Sequence, residues 1–119
     1  NFELKDTLDF LRTGNSPPLF GLSYYPYYCE KQGLDTLKTS FLWKPYVHTV
    51  LLTDVGFDFK TEVAPGEGIT PNKSACQIAL ENKKNITFIF NPKSILLDRA
   101  TKMEEYLMKC ENFFNNISL

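Results

Sequence analysis

The chain has 119 residues, 43% of them hydrophobic and 14% aromatic, and its thirteen basic and fourteen acidic residues leave a net charge of −1. This length and composition predict one globular domain spanning residues 1–119. The balanced charge, without a basic block, argues against nucleic-acid binding. No apolar run reaches the roughly 18 residues of a membrane span, so no transmembrane segment is predicted.

In chain order, the first predicted element is a short amphipathic helix over residues 2–13, where Leu4, Leu8 and Leu11 share one face. Several stretches with the composition of strands follow, and Pro26 interrupts the first of them, which is typical of an edge strand. The clearest is 57–63, where apolar and charged side chains alternate. The predicted strands are 19–29, 37–43, 46–52, 57–63, 76–80 and 86–90.

A long amphipathic helix is predicted at the C-terminus, because apolar residues recur there at helical spacing. We expect this stripe to pack on the sheet with Leu107 fully buried, so that Leu107→Ala would cost about 2–5 kcal/mol. The stripe consists of Leu96, Ala100, Met103, Leu107, Cys110 and Phe114.

These elements predict an α+β fold: a short N-terminal helix, a curled antiparallel meander of five or six strands, and a long C-terminal helix laid on the sheet. The same order occurs in cystatin-like, lipocalin-like and MHC-platform-like layouts, which the pattern does not separate. The lipocalin Gly-x-Trp and the cystatin Gln-x-Val-x-Gly motifs are absent, so no family resemblance is claimed.

Three Asn-x-Ser/Thr sequons, at Asn72, Asn85 and Asn116, predict N-linked glycans and therefore secretion or display at the outer cell surface. Asn1, in place of an initiator methionine, is interpreted either as the N-terminus left by signal-peptide removal or as an arbitrary boundary.

The three cysteines have no Cys-x-x-Cys spacing, which argues against a zinc knuckle or a redox motif. In a secreted chain they predict one disulfide and one leftover thiol. We expect Cys29–Cys110 to be the disulfide and Cys76 to be free or bonded to another chain, with Cys76–Cys110 as the alternative pairing. The competing interpretation is that the protein is intracellular and that all three cysteines are buried and reduced.

No catalytic constellation is predicted. His48 is the only histidine and is interpreted as a surface or half-buried strand residue. The nearest approach to a metal site, Asp54-x-x-x-Asp58, is interpreted as a hairpin turn and the strand that follows. The sequence therefore predicts no metal, no cofactor and no enzyme.

Two features are candidates for binding. The run 24–28 places four phenols around a proline, and tyrosine is enriched in interfaces. The Gly- and Pro-containing loop 64–72 is predicted to be mobile, and is either a recognition element or a variable surface loop. The candidate binding residues are Tyr24, Tyr25, Tyr27, Tyr28, Trp43, Phe57 and Phe59.

We therefore expect a secreted glycoprotein that binds and sequesters a partner protein or a small apolar ligand, of the decoy or immune-evasion type. The alternative is a subunit or ectodomain of a disulfide-linked complex at the cell surface, motivated by the odd cysteine. A small ligand would bind in a pocket enclosed by aromatic side chains. In the alternative arrangement, the same side chains pack against one another and form a solid core without a pocket. The predicted pocket residues are Phe20, Tyr24, Trp43, Phe57, Phe59, Phe88 and Phe90.

Overall fold

A computed structural model describes residues 22–81, 85–92 and 100–117. These residues form a small α+β fold with four helices, a three-stranded parallel sheet and a two-stranded antiparallel sheet. Strands β1 to β5 are Leu22–Tyr24, Val47–Leu52, Asp54–Val55, Glu62–Val63 and Thr87–Phe90, and helices α1 to α4 are Pro26–Lys31, Thr36–Trp43, Asn72–Leu80 and Ala100–Ile117.

The parallel sheet has the order β1-β2-β5, with Tyr24 opposite Val50 and Leu52 opposite Phe90. Parallel neighbours need long crossover connections. Helices α1 and α2 lie in the first crossover, and the second contains the β3–β4 ribbon and α3. The ribbon pairs Asp54 with Val63.

The predicted antiparallel meander is wrong, and the cystatin-like, lipocalin-like and MHC-platform-like layouts derived from it are not supported. Pro26 begins α1 instead of interrupting a strand, because the first position of a helix needs no N–H partner. Helix α2 replaces the predicted strand 37–43. It begins after Asp35, whose side chain accepts a hydrogen bond from Lys38 N at 3.0 Å and caps the helix.

Two further strands were assigned wrongly. Residues 76–80 belong to α3, whose buried residues include Ala75, Cys76 and Ala79. Of the predicted strand 57–63, only Glu62–Val63 is a strand, and the residues before it form a turn. The predicted strands 46–52 and 86–90 are present as β2 and β5.

The central strand β2 supplies the middle of the core, since Val47, Val50 and Leu52 are fully buried. Side chains from α1, α3 and α4 pack around it. Because two neighbouring strands and several helices cover β2, its apolar residues need not alternate with polar ones.

The long C-terminal helix is present as α4, but its predicted buried stripe is wrong. Leu107 is 55% exposed, and Met103 and Phe114 are exposed as well. The face that packs inward is rotated, and of the described stripe residues Met103, Leu107, Cys110 and Phe114 only Cys110 belongs to it. Leu96 lies outside the described residues. The residues of the inward face are Tyr106, Cys110, Phe113 and Ile117, all at most 7% exposed. Leu107→Ala is accordingly no longer expected to be costly.

None of the helices within 22–81, 85–92 and 100–117 combines the length and the apolarity needed to cross a bilayer. The helix predicted over 2–13 lies outside the described residues, as does Phe20.

Candidate functional site: an aromatic groove at the carboxyl edge of the sheet

The chain segments that follow β1 and β2 meet at one edge of the parallel sheet. Parallel strands all end at the same side, and in α/β sheets this side is the usual place for binding residues. After β1 the chain enters α1 with its tyrosines, and after β2 it enters the β3–β4 ribbon. The ribbon and α1 thereby become neighbours.

A groove of about 660 Å³ lies between α1 and the ribbon, half open to solvent. Its lining is mainly apolar and includes Tyr27 from α1, Leu34 from the loop after it, and Phe59 from the ribbon turn. Tyr27 and Phe59 also line an adjoining cavity of about 150 Å³ that reaches Thr53 and Asp54. We call the larger cavity the aromatic groove; its lining is Tyr27, Glu30, Lys31, Gly33, Leu34, Val55, Phe59 and Ile69.

The turn that joins β3 to β4 holds two phenylalanines out in the solvent. Phe57 is 84% exposed and Phe59 is 71% exposed. Phe59 has φ 62°, the left-handed region, which a bulky non-glycine residue rarely adopts. Backbone of this kind persists only where surrounding contacts enforce it, and it concentrates at functional sites.

Those contacts come from Gly56 and Asp58. Gly56 N donates to Thr61 O at 2.8 Å, and Phe59 N donates to Gly56 O at 3.0 Å. Asp58 Oδ1 accepts from Lys60 N at 2.9 Å and Thr61 N at 2.8 Å, and its second oxygen accepts from the Thr61 hydroxyl. The Thr61 hydroxyl and these two backbone donors lower the pKa of Asp58 to about 2.

Asp54 organises a second segment, residues 64–72. The Asp54 side chain is fully buried. Its Oδ1 accepts from Val55 N at 2.9 Å and Thr70 N at 3.0 Å, and its Oδ2 accepts from Gly68 N at 3.1 Å. Asn72 Nδ2 lies 3.4 Å from the same Oδ2. Burial raises the pKa of Asp54 above its ordinary value, although the backbone donors of Thr70, Val55 and Gly68 act in the opposite direction.

Two glycines allow the 64–72 segment to lie close to the domain. A Cβ on Gly68 would come within 2.1 Å of Val55 O, and one on Gly66 would lie 2.8 Å from the Phe113 ring. Ile69 N also donates to Val55 O at 2.9 Å. The segment predicted to be a mobile loop is therefore hydrogen-bonded to the ribbon, and its Ile69 forms part of the aromatic groove.

The structure separates the predicted binding residues into two groups. Tyr27 and Phe59 line the groove, while Phe57 is exposed on the turn that carries Phe59. The Tyr25 ring lies 5.9 Å from the Tyr27 ring and 6.4 Å from that of Tyr28.

The other predicted residues belong to the interior. Tyr24 is buried, and its hydroxyl lies 3.0 Å from Thr36 O and 2.7 Å from Ser40 Oγ. Burial raises the pKa of Tyr24. Trp43, Phe88 and Phe90 pack against the core. The predicted enclosed pocket is therefore not formed by the described residues, because its members are divided between the core and the ribbon turn.

The predicted Cys29–Cys110 disulfide is not formed, and neither is Cys76–Cys110: all three cysteines are free and buried. Burial raises the pKa of Cys76 to about 12 and that of Cys110 to about 11. A protonated, buried thiol is a poor nucleophile for exchange. Cys76 is fully buried, so the structure does not support the proposed link through it to another chain.

The three sequon asparagines differ in exposure. Asn85 and Asn116 are exposed, but Asn72 is fully buried and its Nδ2 donates to Thr53 O at 3.0 Å. Nδ2 is the atom to which an N-linked sugar attaches, so a glycan on Asn72 is incompatible with this folded conformation.

Comparison of the chain with protein-family models, with curated proteins and with solved structures finds no match. His48 lies exposed on β2 and does not line the groove. Within the described ranges, no cluster of three or more His, Cys, Asp or Glu side chains has the arrangement of a metal site.

Sequence reasoning missed Leu34, Val55 and Ile69 as groove residues and Asp54 as the organiser of the 64–72 segment. The groove residues are single apolar positions in separate segments, which carry no pattern. The bonds from Gly68 and Thr70 to Asp54 span 14 and 16 residues, so the local side-chain-to-backbone patterns that a sequence reveals carry no signal for them.

Proposed function

We propose that the protein is a secreted binding protein that captures a partner protein through the aromatic groove and the two phenylalanines of the ribbon turn. The observation that carries this proposal is Phe59, a large aromatic side chain held in left-handed backbone conformation, exposed, at the rim of an apolar groove. Phe59 is 71% exposed, so burial of its side chain stabilises the fold little and does not explain its strained backbone.

Rigidity supports the proposal. The Asp58 hydrogen bonds fix the turn before any partner arrives, so less conformational entropy is lost on binding. Aromatic side chains in such a setting are the usual energetic centres of protein interfaces.

The open shape of the groove favours a protein over a small molecule as its occupant. Small ligands are usually bound in concave pockets that cover most of their surface, whereas here the phenylalanines project outward. The expected partner inserts a bulky apolar side chain between Tyr27, Leu34 and Phe59. The lining contains one acidic and one basic residue, Glu30 and Lys31, so binding should depend weakly on salt.

The experiment is affinity isolation from the tissue or medium in which the protein is secreted, with the parent chain and with Phe59→Gly. Glycine adopts φ 62° without strain, so this variant removes the aromatic anchor while the free energy of unfolding changes by less than about 1 kcal/mol. We expect a defined partner to be captured by the parent and lost with Phe59→Gly. Its affinity should fall at least roughly 30-fold, the effect of one anchor worth about 2 kcal/mol.

Phe41→Ser is the matched control, because Phe41 is an exposed phenylalanine on α2 and does not line the groove. The control should retain the partner. A partner that binds Phe59→Gly as well as the parent, or that is lost equally with Phe41→Ser, would show that capture is not through the groove.

Secretion and glycosylation belong to the same proposal and rest on the two exposed sequons. We expect glycans on Asn85 and Asn116, and none on Asn72, when the chain is made in a eukaryotic secretory pathway. Removal of each sequon by Asn→Gln substitution should lower the apparent mass by one glycan for Asn85 and Asn116 and leave it unchanged for Asn72. A chain that emerges without any endoglycosidase-sensitive mass would contradict this part of the proposal.

A further inference from the structure

Strand β5 forms one edge of the parallel sheet, and none of the described residues pairs with its outer side. Asn91, which follows the strand, donates its N–H to Leu52 O of β2 at 2.8 Å. Backbone groups point to alternate sides of a strand, so Phe88 and Phe90 direct their N–H and C=O groups away from β2. An edge with such groups is a template on which another strand can pair.

The common protections of an edge strand are missing from β5. Natural edges are blocked by charged side chains, by proline or by a bulge, whereas β5 has the sequence Thr-Phe-Ile-Phe. The opposite edge of the sheet, β1, has a register irregularity between Leu22 and Ser23, which disfavours pairing. Of the two edges, β5 is therefore the one that can accept a further strand.

The apolar surface of β5 continues onto α4. The Phe88 ring lies 5.9 Å from the Phe114 ring in an edge-to-face arrangement. Leu107, which is 55% exposed, lies seven positions before Phe114 and so on the same face of the helix. The other flank of α4, with Glu105 and Lys109, faces the ribbon. The flank with Leu107 and Phe114 therefore faces the open edge of the sheet.

We propose that the protein forms a two-fold symmetric dimer in which β5 pairs antiparallel with β5 of a second copy, with Ile89 on the axis. Phe88 then lies opposite Phe90 of the second copy, and each such pair exchanges both of its N–H···O bonds. The same residues serve both copies, as a two-fold interface requires. The two three-stranded sheets become one continuous sheet.

The position of α4 favours a second copy over an unrelated extended peptide. This helix covers β5, since Phe113 and Phe114 contact Phe90 and Phe88. Neighbouring helices on a sheet lie about 10 Å apart, which is about two strand spacings. The two α4 helices would therefore pack side by side over the joined strands and cover Leu107 and Phe114. A peptide on β5 would leave both side chains exposed.

The available area predicts a weak dimer. Ile89 and Phe114 are each 43% exposed, and Leu107 is 55% exposed. With the strand backbone and the adjoining polar side chains, each copy would bury about 500 Å², below the roughly 800 Å² of a standard interface. We expect a dissociation constant on the order of 10 μM.

The oligomeric state of the full chain tests the proposal. Sedimentation velocity should show conversion from monomer to dimer between about 1 and 300 μM. Ile89→Lys would place two like charges directly opposite each other and should keep the chain monomeric throughout this range. Thr87→Lys, at an exposed position on the same face of β5, is the matched control and should dimerise like the parent. A parent that stays monomeric, or an Ile89→Lys variant that dimerises equally well, would overturn the proposal.

A cysteine at the axis tests the register. Opposite residues of a non-hydrogen-bonded antiparallel pair have Cα atoms about 4.5 Å apart, within reach of a disulfide. Ile89→Cys should therefore form a covalent dimer in oxidised glutathione, whereas Thr87→Cys should not, because its two copies would lie about 13 Å apart. The parent should form none, since its own cysteines are buried. Equal cross-linking of both variants, or of neither, would contradict the pairing.

Leu107→Glu tests the contact between the two helices and should weaken the dimer at least about tenfold. Met108→Glu, at a 64% exposed position on another side of α4, should have no effect, and equal effects would contradict the helix contact. The residues of β5 do not line the aromatic groove. Phe59→Gly should therefore dimerise like the parent, and Ile89→Lys should still capture the partner, so that failures of the two proposals are distinguishable.

Discussion

Asp54 and Asp58 lie four positions apart on the same ribbon, and each accepts backbone N–H groups from a loop, yet their environments are opposite. Asp54 is fully buried, and burial raises its pKa. Asp58 is exposed, and hydrogen bonds from Thr61 and Lys60 lower its pKa to about 2. Hydrogen bonds from N–H groups lower the pKa of a carboxyl group. Burial removes water from the carboxylate and raises the pKa, and at Asp54 this second effect is the larger one.

The loops that Asp54 and Asp58 organise also differ in whether they pack against the domain. The segment organised by Asp54 is folded back onto the domain, with Gly66 and Gly68 in close contact with Phe113 and Val55. The turn organised by Asp58 points away from the domain and carries exposed phenylalanines. Asp54 therefore serves mainly the stability of the fold, whereas Asp58 fixes the exposed turn through which we propose that a partner is bound.

The largest effect is expected for Asp54→Ala. This change leaves the buried N–H groups of Val55, Gly68 and Thr70 without an acceptor, so we expect a loss of about 3–5 kcal/mol in the free energy of unfolding. Urea denaturation measures it. Asp54→Asn keeps the size and one acceptor oxygen and should lose about 1–3 kcal/mol. A midpoint for Asp54→Ala equal to that of the parent would mean that the 64–72 segment does not depend on this carboxylate.

Two glycine substitutions extend the comparison to the backbone. Gly68→Ala should cost about 3 kcal/mol, because its Cβ would meet the backbone oxygen of Val55 at 2.1 Å and the backbone would have to move. Gly56→Ala, in the Asp58 turn, should change stability by less than about 1 kcal/mol, since its nearest neighbour would be Asp58 Oδ1 at 3.6 Å. Thermal denaturation of Gly68→Ala and Gly56→Ala, each compared with the parent, measures both losses of stability. Equal loss in both variants would contradict the packing of the 64–72 segment.

The two carboxyl groups should respond to pH in opposite directions. The pKa of Asp58 falls from 3.8 to about 2 on folding, so its contribution to stability is present above pH 3.8 and is lost as pH falls towards 2. The pKa of Asp54 rises above 3.8 on folding, so its ionisation weakens the fold as pH rises from 3.8 through the folded pKa. Carboxyl ¹³C titration by NMR measures both. A midpoint for Asp54 below 3.8 would show that hydrogen bonding outweighs burial at Asp54.

The smallest effect on stability is expected for Asp58→Ala, because its carboxylate is exposed and its partners can bind water instead. The urea midpoint should stay close to that of the parent, whereas amide exchange at Lys60 and Thr61 should become faster. Capture of the partner should weaken although Phe57 and Phe59 are intact. Unchanged exchange and unchanged capture would show that the turn holds its shape without Asp58.

The sequence predicted strand β2, strand β5 and the long helix α4, because each has a strong local pattern. The pattern of β2 is a run of β-branched and apolar residues interrupted only by His48, that of β5 is an alternation of aromatic and aliphatic residues, and that of α4 is a repeat at helical spacing. It failed at α1 to α3, which are short and contain aromatic and β-branched residues that also suit strands. Pro26 at the start of α1 and Asp35 before α2 were the local signals for helices. The strand interpretation gave them too little weight.

The candidate site was predictable only in part. The aromatic character of Tyr27, Tyr28, Phe57 and Phe59 identified residues that reach the surface at or near the groove. The pattern did not show that Tyr24 and Trp43 would be internal, because a run of tyrosines has the same composition whether it is a strand or a helix.

By itself, the sequence determined that the chain is rich enough in apolar and aromatic residues to fold, and where its most regular elements lie. Both follow from composition and from periodicity over neighbouring residues. Only the tertiary structure decided that the strands run parallel, that α4 turns Tyr106 inward and Leu107 outward, and that Asp54 is buried while Asp58 is not. These choices depend on which surfaces meet across the fold, because burial, hydrogen bonding and charge are properties of neighbours in space and not of neighbours along the chain.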